Sequence, residues 1–173
     1  MTRWAMRPAV PVLALLLAGC EAARAGRPPA VGDPVPAYSA TSLDGAQVSL
    51  EKLRGTPVLL NVWATWCHPC RREMPALQQL HREFGPAGLR VVGVSIDQGG
   101  QQQGIREFLA EFGADYEVWL DPDERVGSTF ATIGVPTTFL VDRKGTLLWT
   151  HVGPVAADDR ELRRLIAQSL AAS

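Results

Sequence analysis

An apolar run that is followed, about ten residues later, by a helical pattern limits the folds open to this chain. Residues 58–63 are nearly all apolar, as in a strand that is buried on both faces of a sheet. Further along, apolar side chains recur at three- and four-residue spacing, as in a helix that packs on a core: Met74, Leu77, Leu80 and Phe84. Two cysteines, Cys67 and Cys70, lie between these segments. The chain is therefore predicted to place the pair at a strand-to-helix junction.

The order of the remaining segments predicts an α/β fold. We predict strands at 57–64, 89–96, 116–120, 137–141 and 146–152, and further helices at 104–112, 124–131 and 158–171. Strands that alternate with helices pair in parallel, whereas the short turn at 142–145 requires an antiparallel hairpin. Asp44-Gly45 suits a tight turn and predicts an N-terminal hairpin over 38–50. We expect a mixed β-sheet flanked by helices, with 57–64 as its central strand and a βα insertion in the middle of the chain.

The first residues have the pattern of an export signal. Arg3 and Arg7 precede an apolar run over 9–18, which is too short to span a bilayer as a helix. Leu17-Ala18-Gly19-Cys20 follows, and it resembles the lipobox of bacterial lipoproteins, in which the cysteine is lipidated and becomes the new N-terminus. An ordinary secretory signal that is cut after Ala25 would instead discard Cys20.

A single folded domain is expected after this signal. We predict a lipoprotein signal peptide over 1–19, a flexible linker rich in Ala, Gly, Arg and Pro over 20–31, and one domain over 32–173. The chain has 17 basic and 18 acidic residues, so loss of Arg3 and Arg7 leaves 15 against 18, a net charge of -3. This balance provides no basic surface for nucleic acid, and we expect a monomer.

The cysteine pair is informative because thiolate, rather than thiol, attacks disulfides. Unpaired N–H groups and the helix macrodipole stabilise an anion at a helix start, so we assign Cys67 as the attacking and Cys70 as the resolving cysteine. A zinc site would need a second pair of ligands, which the three histidines are poorly placed to supply. A permanent structural disulfide would close a loop too short to stabilise the fold much. We therefore predict a redox-active disulfide, with no cofactor and no metal.

Two longer motifs carry a family resemblance. Residues 61–75, NVWATWCHPCRREMP, resemble the active-site strand and helix of TlpA/ResA-like thioredoxins, and residues 134–142, GVPTTFLVD, resemble their second signature. The resemblance runs from about Val31 to the C-terminus and implies a thioredoxin fold. It also implies that Pro136 is cis and packs beside the disulfide, where Val135 and its neighbours present backbone groups to an extended substrate. Three further residues are expected to contact substrate or tune the pair: Trp66, His68 and Pro69.

A glutamate is the candidate for proton transfer. Ordinary cytosolic thioredoxins carry a buried aspartate at the position of Asn61, so proton transfer at Cys70 must use another group here. Glu73 lies three residues after Cys70 on the same helix face, and it matches a glutamate near the active site of the resembling reductases. A carboxylate there would accept the proton of the thiol or raise the cysteine pKa by like charge. The alternative is a surface glutamate that pairs with a neighbouring arginine.

The resemblance implies a thiol-disulfide oxidoreductase on the periplasmic face of a membrane, anchored through Cys20. Family members commonly receive electrons from a membrane thiol transporter and reduce apocytochrome c or copper-site cysteines. The expected partners are therefore exported protein disulfides and a membrane electron donor. A peroxiredoxin-like peroxidase is one alternative, although the Pro-x-x-x-Thr-x-x-Cys pattern is absent around Cys67. A non-enzymatic copper-binding module is another, in which His151 would join Cys67 and Cys70 as a ligand.

Overall fold

The computed structural model describes residues 27–172. Within this range the strands are β1 (Ser39–Ser42), β2 (Gln47–Ser49), β3 (Val58–Trp63), β4 (Arg90–Ser95), β5 (Glu117–Leu120), β6 (Thr137–Val141) and β7 (Leu147–Val152). The α-helices are α1 (His68–Phe84), α2 (Gln102–Glu111), α3 (Arg125–Phe130) and α4 (Arg160–Ala171). Among residues 27–172, no helix has the length and hydropathy that crossing a membrane requires. The predicted signal peptide and the lipidation site Cys20 lie outside the described residues.

The strands form one mixed sheet in the order β2-β1-β5-β4-β3-β6-β7. Strands β3, β4 and β5 are parallel because α1 and α2 provide the crossovers between them. Strands β6 and β7 continue the sheet antiparallel beyond β3, and the β1–β2 hairpin joins antiparallel at β5. The predicted fold is thus confirmed. The prediction that 57–64 forms the central strand is wrong. Strand β4 occupies the middle of the seven strands, because the hairpin adds two strands on the β5 side.

Strand β3 is buried along its whole length because both faces of the sheet are covered. Leu59 and Trp63 pack in one core with side chains of α1 and α4, among them Leu77 and Ile166. The alternate residues Val58, Leu60 and Val62 pack in a second core together with Trp119 and Phe139. A continuous apolar strand is the expected consequence of burial on two sides.

Different parts of the chain lie at the two ends of the sheet. At one end, β3 leads into Cys67 and is paired with the first residue of β6, Thr137; we call this the cysteine end. At the opposite end, the segment before β1 attaches to the start of β7. Gly32 N donates to Leu147 O at 2.8 Å, and Leu147 N donates to Asp33 O at 2.9 Å. The N-terminal segment therefore joins the sheet at the end remote from the cysteines.

Candidate active site

The two cysteines lie where β3 leads into α1. Cys67 is the N-cap of α1, and its Sγ atom accepts a hydrogen bond from the Cys70 N–H at 3.2 Å. Pro69 lies in the first turn, where its missing N–H leaves no helical hydrogen bond unmade. The two sulfurs form a disulfide, with the Cα atoms 5.3 Å apart. The predicted position of the pair at a helix start is confirmed, so the first N–H groups of α1 are available to stabilise a thiolate at Cys67.

The two cysteines differ in exposure. Cys70 is completely buried, whereas Cys67 keeps 4% of its surface exposed. Trp66, which directly precedes Cys67, is 66% exposed. The residue before it, Thr65, is half-buried. A protein that approaches the pair therefore meets Trp66 and Cys67 before Cys70. This geometry suits the prediction that Cys67 attacks and Cys70 resolves.

The second signature lies at the same end of the sheet. The Val135-Pro136 peptide bond is cis, as the resemblance implied. Pro136 directly precedes Thr137, which pairs with Val62 near the end of β3, so the proline lies at the cysteine end. The loop before it is open: Ile133 is 87% exposed, and Val135 is half-buried. This loop is thus open to solvent beside the strand that leads to Cys67.

Glu73 is a buried residue of the site. Only 1% of its surface is exposed, and both carboxylate oxygens accept hydrogen bonds. Asn61 Nδ2 donates to Oε1 at 2.9 Å, and the backbone N–H of Val155 donates to Oε2 at 3.0 Å. Burial raises the pKa of Glu73 to about 7, and the hydrogen bonds from Val155 and Asn61 oppose that rise only in part. The alternative of a surface glutamate paired with an arginine is wrong.

Asp97 is a site residue that the sequence did not single out. It follows β4 and is 5% exposed. Thr65 donates to it twice, from the backbone N–H at 3.0 Å and from Oγ1 at 2.6 Å, and Ser95 Oγ donates at 2.8 Å. These bonds hold the segment that immediately precedes Trp66 and Cys67. A signal was available, because polar residues that directly follow a buried strand often lie at a functional edge.

The arginines after the pair connect the site to its surroundings. The Arg71 guanidinium lies over the rings of Phe108 and Phe112, 5.0 and 5.2 Å from their centroids, and pairs with Glu111. It therefore ties the first turn of α1 to the end of α2. Arg72 Nη1 lies 3.0 Å from His68 Nδ1, so the histidine between the cysteines is bound to its own helix.

The ligand set of the copper-binding alternative is not assembled in the described part of the chain. Within residues 27–172, no group of three or more His, Cys, Asp or Glu side chains is arranged to hold a metal ion. His151 lies in β7 and stacks on Trp149, with the ring centroids 5.4 Å apart. The structure thus brings Cys67, Cys70, Pro136 and Glu73 to one region, whereas the His151 ring stacks on Trp149.

Comparison with known proteins agrees with this geometry. Residues 31–150 match the AhpC/TSA family. Thioredoxin-like protein YneN of Bacillus subtilis (strain 168) is 33% identical over 131 residues, which cover 75% of this chain and 76% of the relative. Thiol-disulfide oxidoreductase ResA of Geobacillus kaustophilus is 32% identical over 132 residues, which cover 76% and 75%. A solved structure described as a thiol:disulfide interchange protein DsbE from Chlorobium tepidum has a TM-score of 0.74 at 33% identity, covering 83% of this chain and 99% of its own. The chain therefore belongs to the AhpC/TSA family and is a thiol-disulfide oxidoreductase similar to ResA.

Proposed function

We propose that this oxidoreductase is anchored outside the cytoplasmic membrane by lipid on Cys20 and reduces disulfides of exported proteins. The observation that carries the proposal is the Cys67–Cys70 disulfide at the start of α1, at the end of the sheet where the loop before cis Pro136 is open. The lipobox-like Leu17-Ala18-Gly19-Cys20 supports the anchor. The TlpA/ResA-like motifs support the reducing direction and partners such as apocytochrome c or copper-site cysteines.

The exchange proceeds in two steps that this geometry accommodates. The Cys67 thiolate attacks one sulfur of the partner disulfide, which forms a mixed disulfide and releases the other partner sulfur as a thiolate. Cys70 then loses its proton and attacks the Cys67 sulfur, so the Cys67–Cys70 disulfide forms and the second partner thiol leaves. The partner gains two electrons, and the cysteine pair loses two. A membrane thiol donor restores the reduced pair by the reverse exchange.

Capture of partners tests this function. In Cys70→Ser the second step is blocked, so mixed disulfides between Cys67 and partner proteins are expected to accumulate in the native host. Mass spectrometry of the captured proteins should find exported proteins with cysteine pairs. The double variant Cys67→Ser/Cys70→Ser is the control and should capture none. Capture of cytoplasmic proteins alone would contradict the proposed location, and equal capture by both variants would contradict the exchange.

The anchor has its own test. Cys20→Ala is expected to move the protein from the membrane fraction to the soluble fraction and to abolish incorporation of a labelled fatty acid, because no thiol remains to carry the lipid. Wild-type protein in the same host is the control. If the variant stays with the membrane, or if the wild type takes up no label, the chain is not anchored through Cys20.

The peroxidase alternative predicts a different reaction. A peroxidase would consume hydroperoxide at Cys67 through a sulfenic acid, which Cys70 would then resolve. We expect the reduced protein to transfer its electrons to protein disulfides much faster than to hydrogen peroxide. The ratio of the two rates, measured on the same reduced sample, separates the alternatives.

A further inference from the structure

The inference concerns Asn61, a polar residue in the middle of the buried strand β3. Asn61 and Thr138 are both completely buried. Asn61 Nδ2 uses its two hydrogens on Glu73 Oε1 and on Thr138 Oγ1, each at 2.9 Å. Its Oδ1 atom is also buried, and no side chain or backbone group of residues 27–172 donates a hydrogen bond to it. In the Asn61 amide, the nitrogen therefore makes both of its hydrogen bonds, whereas the oxygen accepts none from these residues.

This arrangement matches the ionised form of Glu73, because neither partner offers an acceptor to a protonated carboxyl. A carboxylate accepts hydrogen bonds on both oxygens, and here both bonds come from N–H groups, one from Asn61 and one from Val155. When Glu73 gains a proton, one oxygen becomes an O–H donor that needs an acceptor. The Val155 N–H belongs to the backbone and cannot become one. Of these two partners, only the Asn61 amide can present oxygen in place of nitrogen.

We propose that Asn61 is a positioning residue whose side-chain amide reverses when Glu73 gains or loses its proton. A half-turn of the amide places Oδ1 where Nδ2 was. Oδ1 then accepts from the protonated Glu73 oxygen and from the Thr138 hydroxyl, which changes from acceptor to donor. The nitrogen moves to the place that Oδ1 occupied. Each protonation state of Glu73 thus meets a matching atom of the Asn61 amide, which an aliphatic side chain at position 61 could not supply.

Reversal of the Asn61 amide links the protonation of Glu73 on α1 to the hydroxyl of Thr138 in β6. Thr138 lies two residues after cis Pro136, so the change in its hydroxyl occurs next to the loop at the cysteine end of the sheet. In exchange, the proton that Cys70 releases reaches Glu73, and the amide reverses with it. This catalytic consequence rests on the proposed function. The reversal itself does not, because it concerns only the Asn61, Glu73 and Thr138 side chains.

The groups that are shown to interact with Glu73 are uncharged in the oxidised protein. On its own helix, the preceding cysteine, Cys70, is joined to Cys67 in the disulfide and does not ionise. Beside β5, Tyr116 is buried, and burial together with the charge of Glu73 raises its pKa, so it stays a neutral phenol. The hydrogen-bond partners of Glu73 are the uncharged Asn61 from β3 and Val155 from the segment after β7, and Asn61 in turn bonds to Thr138 in β6.

Nuclear magnetic resonance of the oxidised, isotope-labelled protein between about pH 5 and 9 tests the reversal. The Asn61 side-chain amide resonances and the Glu73 carboxyl carbon are expected to change with one shared midpoint. The Overhauser contact from the Asn61 amide protons to the Thr138 methyl should weaken below that midpoint. The control is the Gln78 amide, whose Nε2 donates to Asp115 at 2.7 Å; that hydrogen bond lowers the pKa of Asp115, so the amide should stay constant. Asn61 resonances that stay constant while Glu73 titrates would overturn the proposal.

Two variants add a second measurement. Asn61→Leu removes the donor to the carboxylate and is expected to raise the Glu73 midpoint by about one pH unit or more. The isosteric Thr138→Val should leave the midpoint within about 0.3 units, because Thr138 bonds to Asn61 in both states. Equal shifts in the two variants would contradict the proposal. If Asn61→Leu does not fold, the wild-type titration decides alone. Loss of disulfide exchange would leave this titration unaffected, so the two proposals fail separately.

Discussion

Replacement of Cys67 by serine is expected to lower the rate of insulin disulfide reduction by about three orders of magnitude, to the level without enzyme. A serine hydroxyl at the start of α1 is not ionised at neutral pH, so the first step of exchange has no nucleophile. The measurement is insulin reduction with a chemical reductant that regenerates the cysteine pair. A Cys67→Ser variant that retains a tenth or more of wild-type activity would contradict the assignment of the attacking sulfur.

The companion variant Cys70→Ser should fail differently. Attack by Cys67 remains possible, so the protein should form a stoichiometric mixed disulfide with a model disulfide and then stop. Alkylation at neutral pH should also show that the remaining Cys67 thiol reacts faster than an ordinary cysteine. Equal residual turnover in the two single variants would mean that the two cysteines do not have distinct roles.

Replacement of Glu73 by glutamine is expected to remove a dependence of stability on pH that spans about 3 kcal/mol. The pKa of Glu73 is about 7 in the folded protein against an ordinary 4.5. Because the folded state holds the proton more tightly, this contribution is fully present below pH 4.5 and is lost as the pH rises to 7. The difference in pKa corresponds to about 3 kcal/mol. Denaturant unfolding of the oxidised protein at several pH values measures it.

Glu107→Gln is the matched control because Glu107 is an exposed helix residue on α2. Its stability should follow the wild-type pH dependence, whereas that of Glu73→Gln should be flatter across the same range. In the reduced protein, Glu73→Gln should also shift the pH dependence of cysteine alkylation, because the nearby carboxylate disfavours a thiolate by like charge. If wild-type and Glu73→Gln profiles superimpose in both measurements, Glu73 has a structural role only.

Local patterns in the sequence predicted most of the fold. The strand at 137–141 coincides with β6, and the helical period after the cysteines predicted α1 because apolar side chains on one face must meet a core. The order of strands within the sheet was less accessible. The β1–β2 hairpin pairs with β5, a contact distant in sequence that no local pattern encodes, and it moved β3 away from the middle.

The part of the site that depends on residues adjacent in sequence could be predicted. Cys67 and Cys70 follow from their spacing at a helix start, but the environment of Glu73 depends on contacts with β3 and with Val155, 82 residues later. One local signal did exist, because Glu73 lies four residues before Leu77 and seven before Leu80, on the buried face of α1. Asp97 was missed because its partner, Thr65, comes from a different strand-to-helix connection.

Attachment of the N-terminal segment at Leu147 would set the orientation of the domain if Cys20 carries a lipid. A lipid on Cys20 would be joined to that attachment by the stretch from Cys20 to Asp33, whose thirteen peptide steps reach at most about 45 Å. Because that attachment lies at the end of the sheet remote from Cys67 and Cys70, a lipid anchor on Cys20 would leave the disulfide on the side of the domain away from the bilayer. In that orientation the pair would face soluble proteins, and an electron donor in the membrane would reach it only after the domain turned over.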